Sequence, residues 1–270
     1  MEVGRKPEPF LVSSMLDLNA QFSPDGRRIA FASARGIDRA AIWLCDANGA
    51  NLVQLTRGPG TYDGSPRWSP DGRWIAFDAL GDDGRRSVKV VESTGGQPSY
   101  LNSGFQWSNK VPSWSRDGKW IYFTTDRTGR WEIWRVPAQV GTAEQITTDG
   151  GYVALESADG KNLYYTKTGS YGGEPLYVRP LGSAEERRLL EGVAARGFDV
   201  FEDGIYYLAA TGPRKAEIRF HEFATGRSRS VSAIDAPLGL GLSVSPNRRT
   251  ILFTEFASGG IDLMLIENFR

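Results

Sequence analysis

Near copies of one ten-residue stretch govern what this chain can fold into. "WSPDGRWIAF" at 68–77 returns as "FSPDGRRIAF" from Phe22, "WSRDGKWIYF" from Trp114, "ESADGKNLYY" from Glu156, "VFEDGIYYLA" from Val200 and "VSPNRRTILF" from Val244. Aligned on their turns, the copies fall at Asp25, Asp71, Asp117, Asp159, Asp203 and Asn247, with gaps of 46, 46, 42, 44 and 44 residues. A period of about 40 to 45 residues carrying several short strands belongs to sheets repeated around an axis, not to helical solenoids.

The third unit shows the anatomy. An inner strand ends in "VPSW" (111–114), "SRDG" turns, and "KWIYFTT", "WEIWRVP" and "AEQIT" follow as second, third and fourth strands. Trp120 and Tyr122 alternate with Ile121 and Phe123, the pattern of a sheet packed on both faces. No long segment keeps a 3.6-residue apolar period, so helices are expected to be nearly absent. The expected fold is all-β: a six-bladed β-propeller of four-stranded blades, forming a single domain over residues 1–270. The last unit ends after its third strand, whereas an extra strand "PFLVSS" (9–14) precedes the first inner strand. Pairing of that N-terminal segment with "IDLMLI" (261–266) would complete the last blade and cover an edge that otherwise templates aggregation.

The repeated aspartate reads as turn chemistry. In "SPDG" the proline presets φ, the aspartate bonds nearby backbone, and the glycine takes the left-handed conformation. Glu202 replaces the proline in the fifth unit, and Asn247 with Arg248 replaces Asp-Gly in the sixth. A left-handed Arg248 costs on the order of 1 kcal/mol, which a large ring can carry.

Composition narrows the function classes. Thirty-two basic and 32 acidic residues cancel, so no whole-molecule field draws nucleic acid or an anionic membrane. A single cysteine, Cys45, excludes an internal disulfide. "PFLVSSML" is far shorter than the roughly 20 residues a membrane-spanning helix needs. "MEVGRKPEP" is too charged and proline-rich for a signal peptide. A monomer is expected, and the bacterial compartment, cytoplasm or periplasm, is left open.

Binding residues are expected on the face away from the "SPDG" turns, where the connectors into the inner strands are longest. "TYDGSPRW" offers Tyr62, Asp63 and Arg67; "GFQWSNK" offers Phe105, Trp107, Asn109 and Lys110. Tyr152 with Asp149, Arg196 with Phe198, and Asp17 with Asn19 come from three further connectors. The expected channel-mouth set is Tyr62, Arg67, Trp107, Lys110, Tyr152, Arg196 and Phe198. Exposed aromatics among mixed charges suit a protein segment or a small polar ligand. The competing reading has these side chains plug the channel.

Catalysis lacks parts. His221 is the only histidine, no G-x-S-x-G elbow occurs, and one histidine with one cysteine cannot make a histidine-ligated zinc site. "GDDGRRS" is too sparse for a calcium cage. No catalytic residue, metal or cofactor is assigned. Carboxylate pairs such as Asp17 or Asp149 with Glu156 keep an alternative open, a propeller hydrolase or lyase acting on a carbohydrate or other small polar substrate.

The units "FSPDGRRIAFAS", "RWSPDGRWIAFDA", "PSWSRDGKWIYFTTDRTGRWEIWRVPA" and "ESADGKNLYYTK" resemble the WD-like repeats of TolB-type β-propellers over nearly the whole chain. "GFDVFEDGIYYLA", "IRFHEFATGR" and "DLMLIENFR" resemble the C-terminal propeller of large bacterial signalling proteins, in which a winged-helix DNA-binding or protein-kinase domain precedes the repeats. The resemblance implies an interaction or sensor module, with no catalytic residues to carry over. DNA binding or phosphotransfer would belong to such a preceding domain, because residues 1–270 hold neither motif.

Overall fold

The computed structural model describes residues 6–13, 15–35, 39–57, 62–101, 106–139, 141–170, 172–212, 214–257 and 260–269; Phe105 lies outside them. All regular structure among these residues is β, and none is helical. After β1 (Glu8–Leu11), a four-stranded antiparallel sheet is built in chain order from β2 (Asp17–Phe22), β3 (Arg28–Ser33), β4 (Ala41–Asp46) and β5 (Val53–Gln54). The plan repeats in β6 (Tyr62–Trp68), β7 (Trp74–Leu80), β8 (Arg86–Glu92) and β9 (Ser99–Tyr100). It repeats again in β10 (Asn109–Trp114), β11 (Trp120–Thr125), β12 (Glu132–Pro137) and β13 (Glu144–Gln145). The second strand of each sheet is buried on both faces, Ile29 and Phe31 on one side and Ala30 and Ala32 on the other in β3. Sheets therefore pack against sheets.

The fourth and fifth units depart from separate four-stranded sheets. They share one seven-stranded sheet, β14 (Ala154–Glu156), β15 (Asn162–Tyr165), β16 (Glu174–Pro180), β17 (Arg187–Val200), β18 (Gly204–Gly212), β19 (Lys215–Glu222) and β20 (Arg227–Ile234). The 14-residue β17 pairs with β16 through Arg187–Val193 and with β18 through Val193–Val200. Left-handed Gly192 (φ 68°) and Arg196 (φ 56°) bend it without breaking the ladder. What reads in sequence as a connector, "VAARGFDV", is thus strand. The last sheet has the order β1, β23 (Gly260–Glu267), β22 (Thr250–Ala257), β21 (Leu238–Val244). Within it Glu8 lies opposite Leu265 and Pro9 opposite Met264.

The repeated turns act as the sequence implies. Ser23 Oγ donates to Asp25 Oδ1 (2.6 Å), which also accepts the Arg27 amide (3.0 Å), while Ser23 Oγ accepts the Arg28 amide (2.9 Å). The same bonds recur at Ser69 and Asp71, Ser115 and Asp117, Ser157 and Asp159, and Ser245 and Asn247. Arg248 sits at φ 55°. The fifth copy lacks the serine and closes with a Phe201 N–H to Gly204 carbonyl bond of 2.9 Å.

A second repeat hides inside the inner strands. Asn19 (φ 54°), Ser65 (53° at the neighbouring sheet's Val111, 52° here), Arg196 and Gly241 (φ 100°) lie where the ladders of β2, β6, β10, β17 and β21 slip register. A bulge at Val111, and the open edges that the inner strands present at Phe22, Trp68 and Val244, leave amides without ladder partners. Neighbouring sheets supply them: Asp78 Oδ2 accepts the Val111 amide (3.1 Å), Gln21 Oε1 the Trp68 amide (2.7 Å), Asp199 Oδ2 the Val244 amide (3.0 Å) and Ser243 Oγ the Phe22 amide (3.1 Å). Ser113 Oγ donates to the Ala154 carbonyl at 2.6 Å. The open edges of the inner strands thus become the stitching between sheets.

Candidate ligand-binding cavity

The last residues of β2, β6, β10, β14, β17 and β21, namely Phe22, Trp68, Trp114, Glu156, Val200 and Val244, converge on one cavity of about 430 Å³. That is within the usual range of small-ligand sites. Its rim holds the second residue of every repeated turn: Pro24, Pro70, Arg116, Ala158, Glu202 and Pro246. The cavity thus opens on the turn face, opposite to the face that the long connectors single out in sequence. Trp68, Trp114, Leu155 and Phe201 give it apolar wall.

Its charged groups differ in how well they are held. Arg116 lends its amide to Glu156 Oε2 (2.7 Å) and its Nη2 to the carbonyls of Glu156 (3.2 Å) and Val200 (2.9 Å). Glu156 Oε1 accepts from the Tyr122 hydroxyl (2.6 Å), and burial together with this carboxylate pushes the phenol's pKa up. Asp199 is spent on backbone, one oxygen on the Val200 amide (3.0 Å) and the other on that of Val244. Burial raises its pKa, against the pull of the Val244 bond and of Arg116 and Arg67. Arg248 is paired with Asp203 at 2.6 Å, its guanidinium 4.7 Å from the Phe201 ring centre.

Arg67 is different. Its carbonyl accepts from Trp114 Nε1 (3.1 Å), but its guanidinium has no hydrogen bond or ion pair with a described residue. Burial lowers its pKa; Asp199 acts in the opposite sense, and the Arg196 charge adds to the lowering.

Of the residues expected at a mouth on the other face, Tyr62, Lys110, Tyr152 and Arg196 form a cluster. Arg196 Nη1 donates to Ser65 Oγ (2.7 Å), joining β17 to β6, and Nη2 reaches the Tyr152 hydroxyl (3.4 Å). Lys110 Nζ lies 4.9 Å from the Tyr152 ring centre and 3.6 Å from that of Trp131. Burial works to raise the Tyr152 pKa, but the Arg196 and Lys110 charges outweigh it and bring it down. The Arg86 guanidinium lies over Tyr62 at 4.8 Å and pairs with Asp78. Trp107 is 38% exposed and stacks with Arg127 (5.1 Å), apart from that cluster's contacts. Phe198 requires a correction. It is 1% exposed and packs in the core with Val200, Ile205 and Tyr207, because alternation along the continuous β17 turns it inward.

The carboxylates weighed for catalysis do not pair. Asp17 is bound to Arg35, Asp149 to Lys167 (3.0 Å), and Glu156 to Tyr122. His221 is buried in β19, its Nδ1 3.1 Å from Ser228 Oγ. Among the described residues no three His, Cys, Asp or Glu side chains stand together as metal ligands. No helix among them is long and apolar enough to cross a membrane. Trp114, Arg116, Asp199 and Glu202 are cavity residues that sequence reasoning passed over. For Arg116 and Glu202 the signal was the position before each turn aspartate, which reads Pro, Pro, Arg, Ala, Glu, Pro; Trp114 and Asp199 lie further back, at the ends of the inner strands.

Comparison with known proteins adds the relatives. A family model described as the TolB beta propeller domain matches residues 4–193. Among curated proteins no sequence matches the chain. A putative TolB from Agrobacterium tumefaciens is similar in fold (TM-score 0.53, 18% identity), with 92% of this chain and 73% of that one covered. For TolB from Acinetobacter baumannii the values are 0.52 and 22%, over 97% of this chain but only 57% of that one. An oligogalacturonate lyase from Vibrio parahaemolyticus gives 0.64 and 13%, over 98% and 97%. At these identities the likeness is one of fold.

Proposed function

The chain belongs to the TolB β-propeller domain family, and from that premise we propose that it is a binding module which takes a peptide segment or small polar ligand into the cavity rimmed by its turns. In this reading residues 1–270 are one six-bladed propeller, closed by β1 completing the last blade. The β1–β23 ladder and the Phe22–Ser243 bond between the first and last units support the closure. The shared β17 makes the fourth and fifth blades continuous. Tyr62, Lys110, Tyr152 and Arg196 would close the far end of the channel, with exposed Trp107 available to a protein partner beside it. As part of the same proposal the chain is a monomeric interaction or sensor module of a bacterial signalling protein and contacts no nucleic acid itself.

The observation that carries the proposal is convergence. Every repeat unit contributes a turn residue to one open cavity with two tryptophans in its wall. The test is Ala158→Trp, at an exposed rim position that tolerates a large side chain in a type I turn. A panel of amino acids, sugar acids, neutral sugars and short peptides is screened by ligand-observed NMR. At least one saturable binder is expected, lost in Ala158→Trp while the Tm stays within about 2 °C. Binding that survives the blocked rim would place the site elsewhere.

A second reading, a hydrolase or lyase, draws on one observation: Glu156 and Asp199 line the same cavity. Both are tied to backbone or to Tyr122, which favours a structural role for them. Turnover of any panel member would decide for catalysis.

A further inference from the structure

Arg67, the penultimate residue of strand β6, lines the cavity together with Trp68 and Trp114. A guanidinium presents five donors in a planar fork, and the half-buried Arg67 turns that fork to the cavity without a described anion beside it. Here the obvious partners are committed. Asp199 gives both oxygens to the Val200 and Val244 amides, Glu156 gives its two to Tyr122 and the Arg116 amide, and Arg248 has taken Asp203. Within the cavity the remaining acid, Glu202, is exposed at the rim.

We propose that Arg67 is the anchor for a ligand carboxylate, which enters past the turn rim and is held by the guanidinium fork. This rests on the binding reading above and names its ligand class. The planar match favours a bidentate carboxylate. Glu156, Asp199 and Glu202 balance Arg67, Arg116 and Arg248 in charge around the cavity, so no excess positive charge favours a phosphate dianion over a single carboxylate. The half-buried Trp114, Leu155 and Phe201 fit an apolar or sugar-ring body behind the acid group.

Three acids, N-acetylphenylalanine, galacturonic acid and glutaric acid, are titrated at constant ionic strength against their neutral amides, followed by tryptophan fluorescence. At least one acid is expected to saturate, with its amide at least tenfold weaker. Arg67→Gln should weaken that acid tenfold or more and leave the amide unchanged; Arg67→Lys should fall between. Equal binding of acid and amide to the unaltered protein overturns the proposal without any variant having to fold. So does failure of all three acids to saturate, or an Arg67→Gln protein that binds the acid as before. Acid and amide binding alike but both lost in Ala158→Trp leaves the binding reading standing and removes only the carboxylate; binding indifferent to Ala158→Trp removes the reading itself.

Discussion

At the scale of single residues, the repeated aspartates are structural groups. Asp25, Asp71, Asp117 and Asp159 are held below the ordinary carboxylate value, first by the Ser hydroxyl two residues earlier and then by the amide two residues later. Each therefore takes up its proton later, as pH falls, in the folded chain than in the unfolded one. Their stabilisation is whole above the unfolded value near 3.8 and fades as pH falls through the lower folded values. Asp199 works in the opposite sense, since burial raises it. Thermal melts between pH 5 and about 2.5 should show Asp71→Asn losing less Tm on acidification than the unaltered protein; equal slopes would mean the Asp71 turn bonds carry no pH-dependent stability. At neutral pH, Ser69→Ala should cost about 1 kcal/mol in urea unfolding. The turn chemistry was legible residue by residue, down to the left-handed Arg248. What was not legible is that the residue before each aspartate faces a shared cavity, because one turn in isolation gives no hint of the other five converging on it.

At the scale of elements, the inner strands carry the information that sequence hid. Bulges at Asn19, Ser65, Val111, Arg196 and Gly241 have no composition in common, so no motif announces them. At Val111 the neighbouring sheet takes up the freed amide through Asp78. Phe198 was misplaced for a related reason: "VAARGFDV" has the glycine and charge of a connector, yet it is the second half of β17 and pairs with β18. Gly241 offers the sharpest test of these seams. A Cβ there would stand 3.0 Å from the Asn19 Cα, on a backbone with φ of 100°. Gly241→Ala should destabilise by roughly 2 kcal/mol or more, since strain and a backbone clash combine. A loss below about 0.5 kcal/mol in denaturant melts would show that β2 and β21 are not packed this closely.

At the scale of the whole molecule, the cavity exists only if sheets from both ends of the chain are neighbours. Two links carry that: the β1–β23 ladder, and the Ser243 hydroxyl accepting the Phe22 amide. If the ring is closed as proposed, the six turns form one mouth, and Arg67, Trp68 and Trp114 can act on one ligand. If it is open, those residues face solvent separately and the binding proposal has no site. Antiparallel partners stand about 4.5 to 5.5 Å apart at Cα, within the span of a disulfide. Glu8 and Leu265 are such partners. The decisive measurement is therefore oxidation of Glu8→Cys with Leu265→Cys in a Cys45→Ala background, followed by non-reducing electrophoresis and peptide mass mapping. Closure predicts a quantitative intramolecular 8–265 disulfide at dilute protein and a raised Tm; free thiols, or cross-links only between molecules, would contradict it.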